Sequence, residues 1–184
     1  MFQTAKLRII SLNYLTLDTF MKDSMIKSML IAAIIMLTGI TGYAQQSDDV
    51  DKAVKDIMEK YDTSTGVEST VIEQGSGLGF VKMMLKKEFG KEFMKGVTSI
   101  TIIDYSNASN ETCKSLHNDL NSFLSLLEEF KISDKKEFSD NDFIRCFAAS
   151  SSPGVLSHFI IALEKEKSRT IMHMAGKIVA GDFK

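Results

Sequence analysis

Three glycines spaced by two, Gly75, Gly77 and Gly79, are the first residues whose type and spacing suggest chemistry. They lie between a β-branched run, 69–73, and a helix-like run that begins at Phe80, which is the order found in phosphate-binding loops. A dinucleotide fingerprint needs its third glycine where Phe80 stands, because helix and strand approach closely there. A Walker-type loop needs a lysine directly after the last glycine. We therefore predict no bound nucleotide, and either a flexible connection or the rim of another ligand pocket.

The two cysteines, Cys113 and Cys146, form the second candidate pair. Cys113 falls on the apolar side of a predicted helix, and Cys146 shares one side of a predicted strand with Ile144 and Ala148. An even number of cysteines in an oxidising compartment favours a disulfide, here one that joins helix to sheet. Two buried free thiols that pack as small apolar groups are the alternative. Neither thiol is predicted to be a nucleophile, because apolar surroundings leave a thiol unreactive.

Histidines at two positions near the end of the chain raise the question of a metal. His158 and His173 would lie directly opposite each other if the hairpin between them turned at Lys165 and Glu166, and a one-residue change in that turn would separate them. Two imidazoles with no third ligand nearby in the sequence do not define a zinc site, so we predict ordinary sheet residues and no metal. His117 is predicted to be solvated on the polar side of its helix.

Other arrangements typical of catalysis are not recognisable in the sequence. The serines at 150–152 are predicted to form a turn and not to carry a nucleophile. Asp140 and Asp142 resemble part of a calcium loop, but the glycine and the closing glutamate that such a loop requires are missing. We therefore predict a protein that is not an enzyme and that needs no cofactor.

Residues 21–44 are predicted to be a secretory signal peptide. Two lysines precede an apolar stretch of about a dozen residues, which is too short to span a membrane. Small residues then stand before a cleavage point between Ala44 and Gln45. This predicts a periplasmic or secreted protein with no stable membrane span after cleavage; an uncleaved anchor is the alternative.

The remaining chain has the length of a single domain. Residues 1–20 fit neither a signal peptide nor a folded element, so we predict that translation starts at Met21 or Met25. The segment 45–184 is then one folded unit. The formal net charge of the whole chain is −2 and no basic block is present, which argues against a nucleic-acid partner.

Hydrophobic periodicity predicts the elements that would position these residues. It predicts helices at 47–61, 80–93 and 111–130. It predicts strands at 67–73, 97–105, 143–149, 155–167 and 168–179. This order indicates an α+β fold with a two-layer arrangement: a mostly antiparallel sheet of about five strands, two or three helices on one face, and a closing β-meander.

The order and character of four segments resemble those of the DUF4252 family. These segments are IMEKY (57–61), GVESTVIEQ (66–74), SITIIDYS (99–106) and IMHMAGKIV (171–179). The family consists of small exported proteins of Bacteroidetes with no assigned activity, and the resemblance covers roughly 50–180. Many members look like lipoproteins, whereas this chain has no lipobox cysteine. Members often occur beside extracytoplasmic sigma-factor systems, so the resemblance implies a role in envelope signalling and supplies no catalytic residues.

Export and the resemblance together predict a non-enzymatic binding module of the cell envelope. Its partner would be an envelope protein or a second copy of the chain. This hypothesis expects an exposed apolar patch on the sheet face opposite the helices. The alternative is a carrier of a small ligand or lipid, or an unrecognised hydrolase, with Gly75, Gly77 and Gly79 at the rim of its pocket.

Overall fold

The protein is described here by a computed structural model that covers residues 47–125, 127–130, 143–152, 154–165 and 168–179. The helices are α1 (Ser47–Tyr61), α2 (Ser76–Phe89), α3 (Lys91–Gly96) and α4 (Asn110–Leu124). The strands are β1 (Glu68–Ile72), β2 (Val97–Asp104), β3 (Glu128–Phe130), β4 (Phe143–Ser152), β5 (Val155–Lys165) and β6 (Ser168–Val179).

Several predictions lie outside the described residues. These are the signal peptide at 21–44, its cleavage between Ala44 and Gln45, and the start at Met21 or Met25.

The strands form one six-stranded antiparallel sheet in the order β1-β2-β6-β5-β4-β3. The α+β class, the antiparallel sheet and the closing meander of β4, β5 and β6 are confirmed. The strand beyond the five predicted is β3, whose residues were predicted to be the end of a helix at 111–130. Those residues pair with β4 instead, and the Glu129 carboxylate accepts hydrogen bonds of 2.8 and 3.1 Å from the Arg145 guanidinium. Sheet pairing therefore overrides the local helix preference at this edge.

Helices cover both faces of the sheet, whereas the sequence placed them on one. The face under α2 and α3, called the α2 face, buries a cluster that includes Phe89, Phe93 and Phe159. The face under α1 and α4, called the α1 face, buries a second cluster that includes Val54 and Leu116. The expected apolar patch opposite the helices is consequently covered in the described part of the chain.

The reason for this difference is visible in the central strands. Residues 159–163 (FIIAL) are buried at every position and contribute alternately to the two clusters. A strand that is buried on both faces has no polar side, so it loses the alternation that marks a half-exposed strand. The continuous apolar run was therefore the sequence signal for a second layer of helices.

Helices α1 and α4 form on the α1 face for local reasons that the sequence contains. The apolar residues along one side of α1 are buried: Val50, Val54, Ile57 and Tyr61. Helix α4 is capped by Ser109, whose hydroxyl oxygen accepts a hydrogen bond of 3.1 Å from the Thr112 backbone N–H. The amphipathic pattern of both helices and the cap of α4 are thus local features that favour these helices.

A close contact between two glycines joins α3 to β6. A Cβ at Gly96 would overlap the carbonyl oxygen of Lys177, and a Cβ at Gly176 would overlap that of Gly96. Gly176 has φ 149°, a value that favours glycine, and lies opposite an irregularity in β2 between Val97 and Ser99. Only glycine at both positions lets the two backbones approach this closely.

Candidate functional site

The hairpin of β5 and β6 brings two histidines together on the α1 face. Its register pairs Lys165 with Ser168, so the chain does not turn at the position that would oppose the histidines directly. His158 pairs instead with Ala175, two residues beyond His173. The two histidines are diagonal neighbours on one face, which is still within reach of their side chains.

The two imidazole rings contact each other in the interior. Nδ1 of His158 lies 2.9 Å from Nε2 of His173, which is a hydrogen-bond distance. The ring centroids are 5.1 Å apart and the ring planes differ by 21°. Both residues are buried. A pair of histidines that share one hydrogen bond is therefore part of the core of this face.

Asp51 of α1 adds a carboxylate to the histidine pair. Its Oδ1 lies 3.7 Å from Nδ1 of His158, and one ligand atom from each of the three residues lies within 4.8 Å of the others. Asp51 could not be recognised from the sequence, because nothing in the sequence indicates that α1 packs against the last two strands at this point. The only available signal was its place on α1 next to the buried Val50.

Burial determines the protonation state of His173. Desolvation of the charged ring, followed by the charge of the neighbouring His158, lowers the pKa of His173 to about 3. His173 is therefore neutral at physiological pH, and a neutral imidazole can offer a lone pair to a hydrogen-bond donor or a metal. Its Nδ1 is buried and has no hydrogen-bond partner among the described residues.

A second polar network on the α1 face connects α4 to the sheet. The Tyr105 hydroxyl donates a hydrogen bond of 2.9 Å to Oε1 of Glu164 and lies 3.4 Å from Nε2 of His117. His117 also contacts Glu164 directly, so the prediction that it is solvated is wrong. Burial, followed by the charge of Glu164, raises the pKa of Tyr105, so this residue stays a neutral donor. The network connects α4 to β5 through His117 and Glu164.

The disulfide prediction is wrong because the two cysteines lie on opposite faces of the sheet. Cys113 belongs to the core of the α1 face and Cys146 to that of the α2 face, and both are free thiols. A strand layer therefore separates them. Burial, followed by the charge of Glu129, raises the pKa of Cys146 to about 12. The Cys113 sulfur accepts a hydrogen bond of 3.1 Å from Nη1 of Arg169.

The three glycines are not a loop over the histidine pair. Gly75 precedes the first turn of α2 with φ 82°, whereas Gly77 and Gly79 lie within the helix. Helix α2 packs on the opposite face of the sheet, so the glycines and the histidines do not form one site. A Cβ at Gly75 or Gly79 would meet no atom within 4 Å, so packing does not require glycine there.

The β1 strand forms one edge of the sheet, beside the start of α2. Among the described strands, β2 is the one that pairs with β1. The Val71 side chain is 45% exposed, and Met83 of α2 is 63% exposed one turn after the 38% exposed Phe80. The first turn of α2 lies against β1, because a Cβ at Gly77 would be 3.8 Å from Cγ2 of Ile72. We call β1 together with Phe80 and Met83 the edge surface.

Comparison with known proteins adds no functional assignment. No protein-family model matches this sequence, and no curated protein and no solved structure matches it either. Within the described part of the chain, no helix is long and apolar enough to cross a membrane.

Proposed function

We propose that this protein is an exported binding module of the cell envelope that takes up an extended segment of a partner envelope protein along β1. The position of β1 at the edge of the sheet is the observation that carries this proposal. An edge strand presents backbone N–H and C=O groups that a further strand can pair with. Strand addition is a recurrent mode of peptide recognition, in which backbone hydrogen bonds supply affinity and side-chain contacts supply specificity.

The exposed apolar side chains of the edge surface support the same mode of binding. Val71 projects from the edge strand, and Phe80 and Met83 lie one turn apart on the helix that begins beside it. Val71 faces the α1 side of the sheet, whereas α2 packs on the other side. A segment that pairs with β1 presents its side chains to the two faces in alternation, so apolar residues at successive positions would contact Val71 on one face and Phe80 and Met83 on the other. Methionine adapts its shape to different apolar partners, which suits a surface that binds peptides.

Export is the second part of the proposal. The pattern of charge, apolar core and small residues in 21–44 supports secretion, and the resemblance to the DUF4252 family supports a place in envelope signalling. Sequencing the N-terminus of the protein from the periplasmic fraction tests this part. The expected first residue is Gln45, whereas a chain that retains 21–44 would contradict cleavage.

Site-specific photo-crosslinking in the envelope of a related host tests the binding mode. A photoreactive residue at Val71 is expected to capture one protein partner. The matched control is Val179, which is 47% exposed but belongs to the internal strand β6. Equal capture at both positions, or none at Val71, would overturn the proposal. An adduct with the mass of two chains would replace the foreign partner with a second copy of this protein.

A charge substitution provides the quantitative version of this test. Val71→Lys is expected to weaken the captured complex at least about tenfold, because a lysine disfavours both strand addition and apolar contact at an edge. Val179→Lys is expected to bind like the wild type. Both side chains are exposed, so neither change should unfold the domain.

A further inference from the structure

Three side chains from three separate elements converge at one end of the α1 face. Asp51 belongs to α1, His158 to β5 and His173 to β6, and a ligand atom of each lies within 4.8 Å of the others. We propose that these three residues bind a zinc ion. The site is distinct from the edge surface: Phe80 and Met83 belong to α2 on the other face, and Thr101 of β2 lies between Val71 and His173.

The types of ligand favour zinc among the common biological metals. Two imidazole nitrogens and one carboxylate oxygen form a set that zinc uses in sites that keep an open position. Calcium and magnesium prefer oxygen ligands, so a site with two buried nitrogens disfavours them. Zinc also has no electronic preference for one geometry, and it therefore tolerates ligands that sheet and helix hold at fixed positions.

The distances between ligand atoms are close to those that zinc requires. With zinc–ligand bonds of about 2.0–2.1 Å at a tetrahedral centre, two ligand atoms stand about 3.4 Å apart. Nδ1 of His158 and Nε2 of His173 are 2.9 Å apart, and Nδ1 of His158 and Oδ1 of Asp51 are 3.7 Å apart. The histidines therefore need to separate by about 0.5 Å. The Asp51 oxygen lies 3.7 Å from the His158 nitrogen and within 4.8 Å of the His173 nitrogen, so the exposed carboxylate needs to approach them by about 0.3 to 1.4 Å. Small side-chain rotations provide such changes.

Zinc would occupy the place of the hydrogen bond between the two rings. Each neutral imidazole then keeps its proton on the nitrogen that faces away from the metal, Nε2 of His158 and Nδ1 of His173. Starting from two neutral rings, one ring moves its proton between its two nitrogens and no net proton is released. The Asp51 carboxylate offsets one of the two positive charges of the ion.

The surroundings of the site leave one coordination position open to water. Both histidines are buried, whereas the Asp51 side chain is 60% exposed at the surface of α1. The fourth ligand of a tetrahedral ion would therefore lie on the solvent side, next to the carboxylate. The bound ion would join the first half of α1 to the last two strands, and it would stabilise the folded state in proportion to its occupancy.

Titration of the purified full chain with Zn²⁺, after removal of metals with a chelator, tests the proposal. Calorimetry is expected to give one equivalent of bound Zn²⁺ per chain. A hundredfold excess over Kd is expected to raise the thermal midpoint by roughly 5–10 °C. Co²⁺ is expected to compete for the site and to show the visible absorption of a tetrahedral complex. The absence of saturable binding by either ion would overturn the proposal.

Variants separate this site from other groups that could bind zinc. Asp51→Asn keeps the shape of the exposed side chain and is expected to weaken Zn²⁺ binding at least about tenfold, as the loss of a direct ligand. Asp49→Asn, two residues earlier on the exposed surface of the same helix, is the matched control and is expected to bind like the wild type. Equal losses in both variants would mean an unspecific acidic surface and would overturn the proposal.

Two variants, each with one histidine replaced, complete the test. His173→Gln is expected to abolish the Co²⁺ absorption, whereas His117→Gln removes a histidine from the separate network around Glu164 and is expected to preserve it. Retention of the absorption in His173→Gln would overturn the proposal. If that core variant does not fold, the comparison between Asp51→Asn and Asp49→Asn decides the question, because both side chains are exposed.

Discussion

The two faces of one sheet bury different chemistry in this protein. The α2 face contains an aromatic cluster in which the Phe159 ring meets those of Phe89 and Phe93 edge-on, at 6.3 and 5.5 Å between centroids. The α1 face contains the histidine pair and the network of Tyr105 and Glu164. Both faces bury an apolar cluster, and the α1 face adds buried polar contacts to it.

Adjacent residues of β5 contribute to different faces of the sheet. His158 lies on the α1 face next to a second histidine, whereas Phe159 lies on the α2 face among aromatic rings. Side chains alternate along a strand, so one strand can serve two cores with unrelated chemistry. Substitutions can therefore be directed at the aromatic core or at the polar contacts separately, one face at a time.

The largest expected effect is the loss of an aromatic ring from the α2 face. Phe159→Ala should lower the free energy of unfolding by about 3–5 kcal/mol, because it removes a fully buried ring and leaves a cavity. Urea unfolding monitored by circular dichroism measures the change. Phe80→Ala, at an exposed position of α2, is the control and should cost less than about 1 kcal/mol. Similar losses in the two variants would mean that the buried ring of Phe159 contributes no more to stability than an exposed ring.

Acid should destabilise the folded protein by protonating His173 on the α1 face. The pKa of His173 is about 3 in the folded protein against an ordinary value of 6.5, so the unfolded chain binds more protons between these values. The stability that the neutral His173 contributes is therefore fully present above pH 6.5 and is lost as the pH falls towards 3. The free energy of unfolding should decrease by about 2 kcal/mol between pH 7 and pH 5.

Substitution of the histidine provides the control for this pH effect. His173→Leu should flatten the pH dependence between pH 7 and pH 5, because the variant has no titrating ring at this position. Denaturant titrations at a series of pH values measure both proteins. An unchanged slope in the variant would show that groups other than His173 cause the pH dependence.

A smaller effect is expected from the other network of the α1 face. Tyr105→Phe removes the hydroxyl that donates to Glu164, and the carboxylate keeps its contact with His117. The variant should lose about 1–1.5 kcal/mol in the free energy of unfolding, the usual net value of one hydrogen bond. Thermal unfolding at neutral pH measures it. A loss as large as that of Phe159→Ala would mean that the polar network contributes as much as the aromatic core.

The smallest expected effect is that of a reductant. Cys113 and Cys146 lie on opposite faces of the sheet, so dithiothreitol should leave the free energy of unfolding unchanged. Thiol titration of the denatured protein without reductant should find two free thiols per chain. Detection of a disulfide between them would contradict the assignment of the cysteines to separate faces.

Helix α1 and the closing meander, which depend on neighbours in the sequence, agree with the prediction. The apolar stripe of α1 and the capping of α4 by Ser109 follow from the spacing and type of a few adjacent residues. The closing meander follows from short turns between apolar runs. Local failures occurred where distant partners decide the outcome, as in β3, where Glu129 pairs with Arg145 of another strand instead of continuing a helix.

The candidate zinc site depends even more on contacts between residues that are distant in the sequence. His158 and His173 were recognised as a pair, but their diagonal relation depends on a register that one residue of the turn changes. Asp51 was not recognised at all, because only the packing of α1 on the sheet brings it to the histidines.

Most elements of this protein and its α+β class follow from the sequence, because helix periodicity, capping and turns act between residues that are near in the chain; β3 is an exception. The tertiary structure alone decided which face each residue occupies. It separated Cys113 from Cys146, placed helices on both faces and brought Asp51 to the histidine pair. Faces and registers depend on the summed geometry of all connections, in which a shift of one residue moves a side chain to the other side of the sheet.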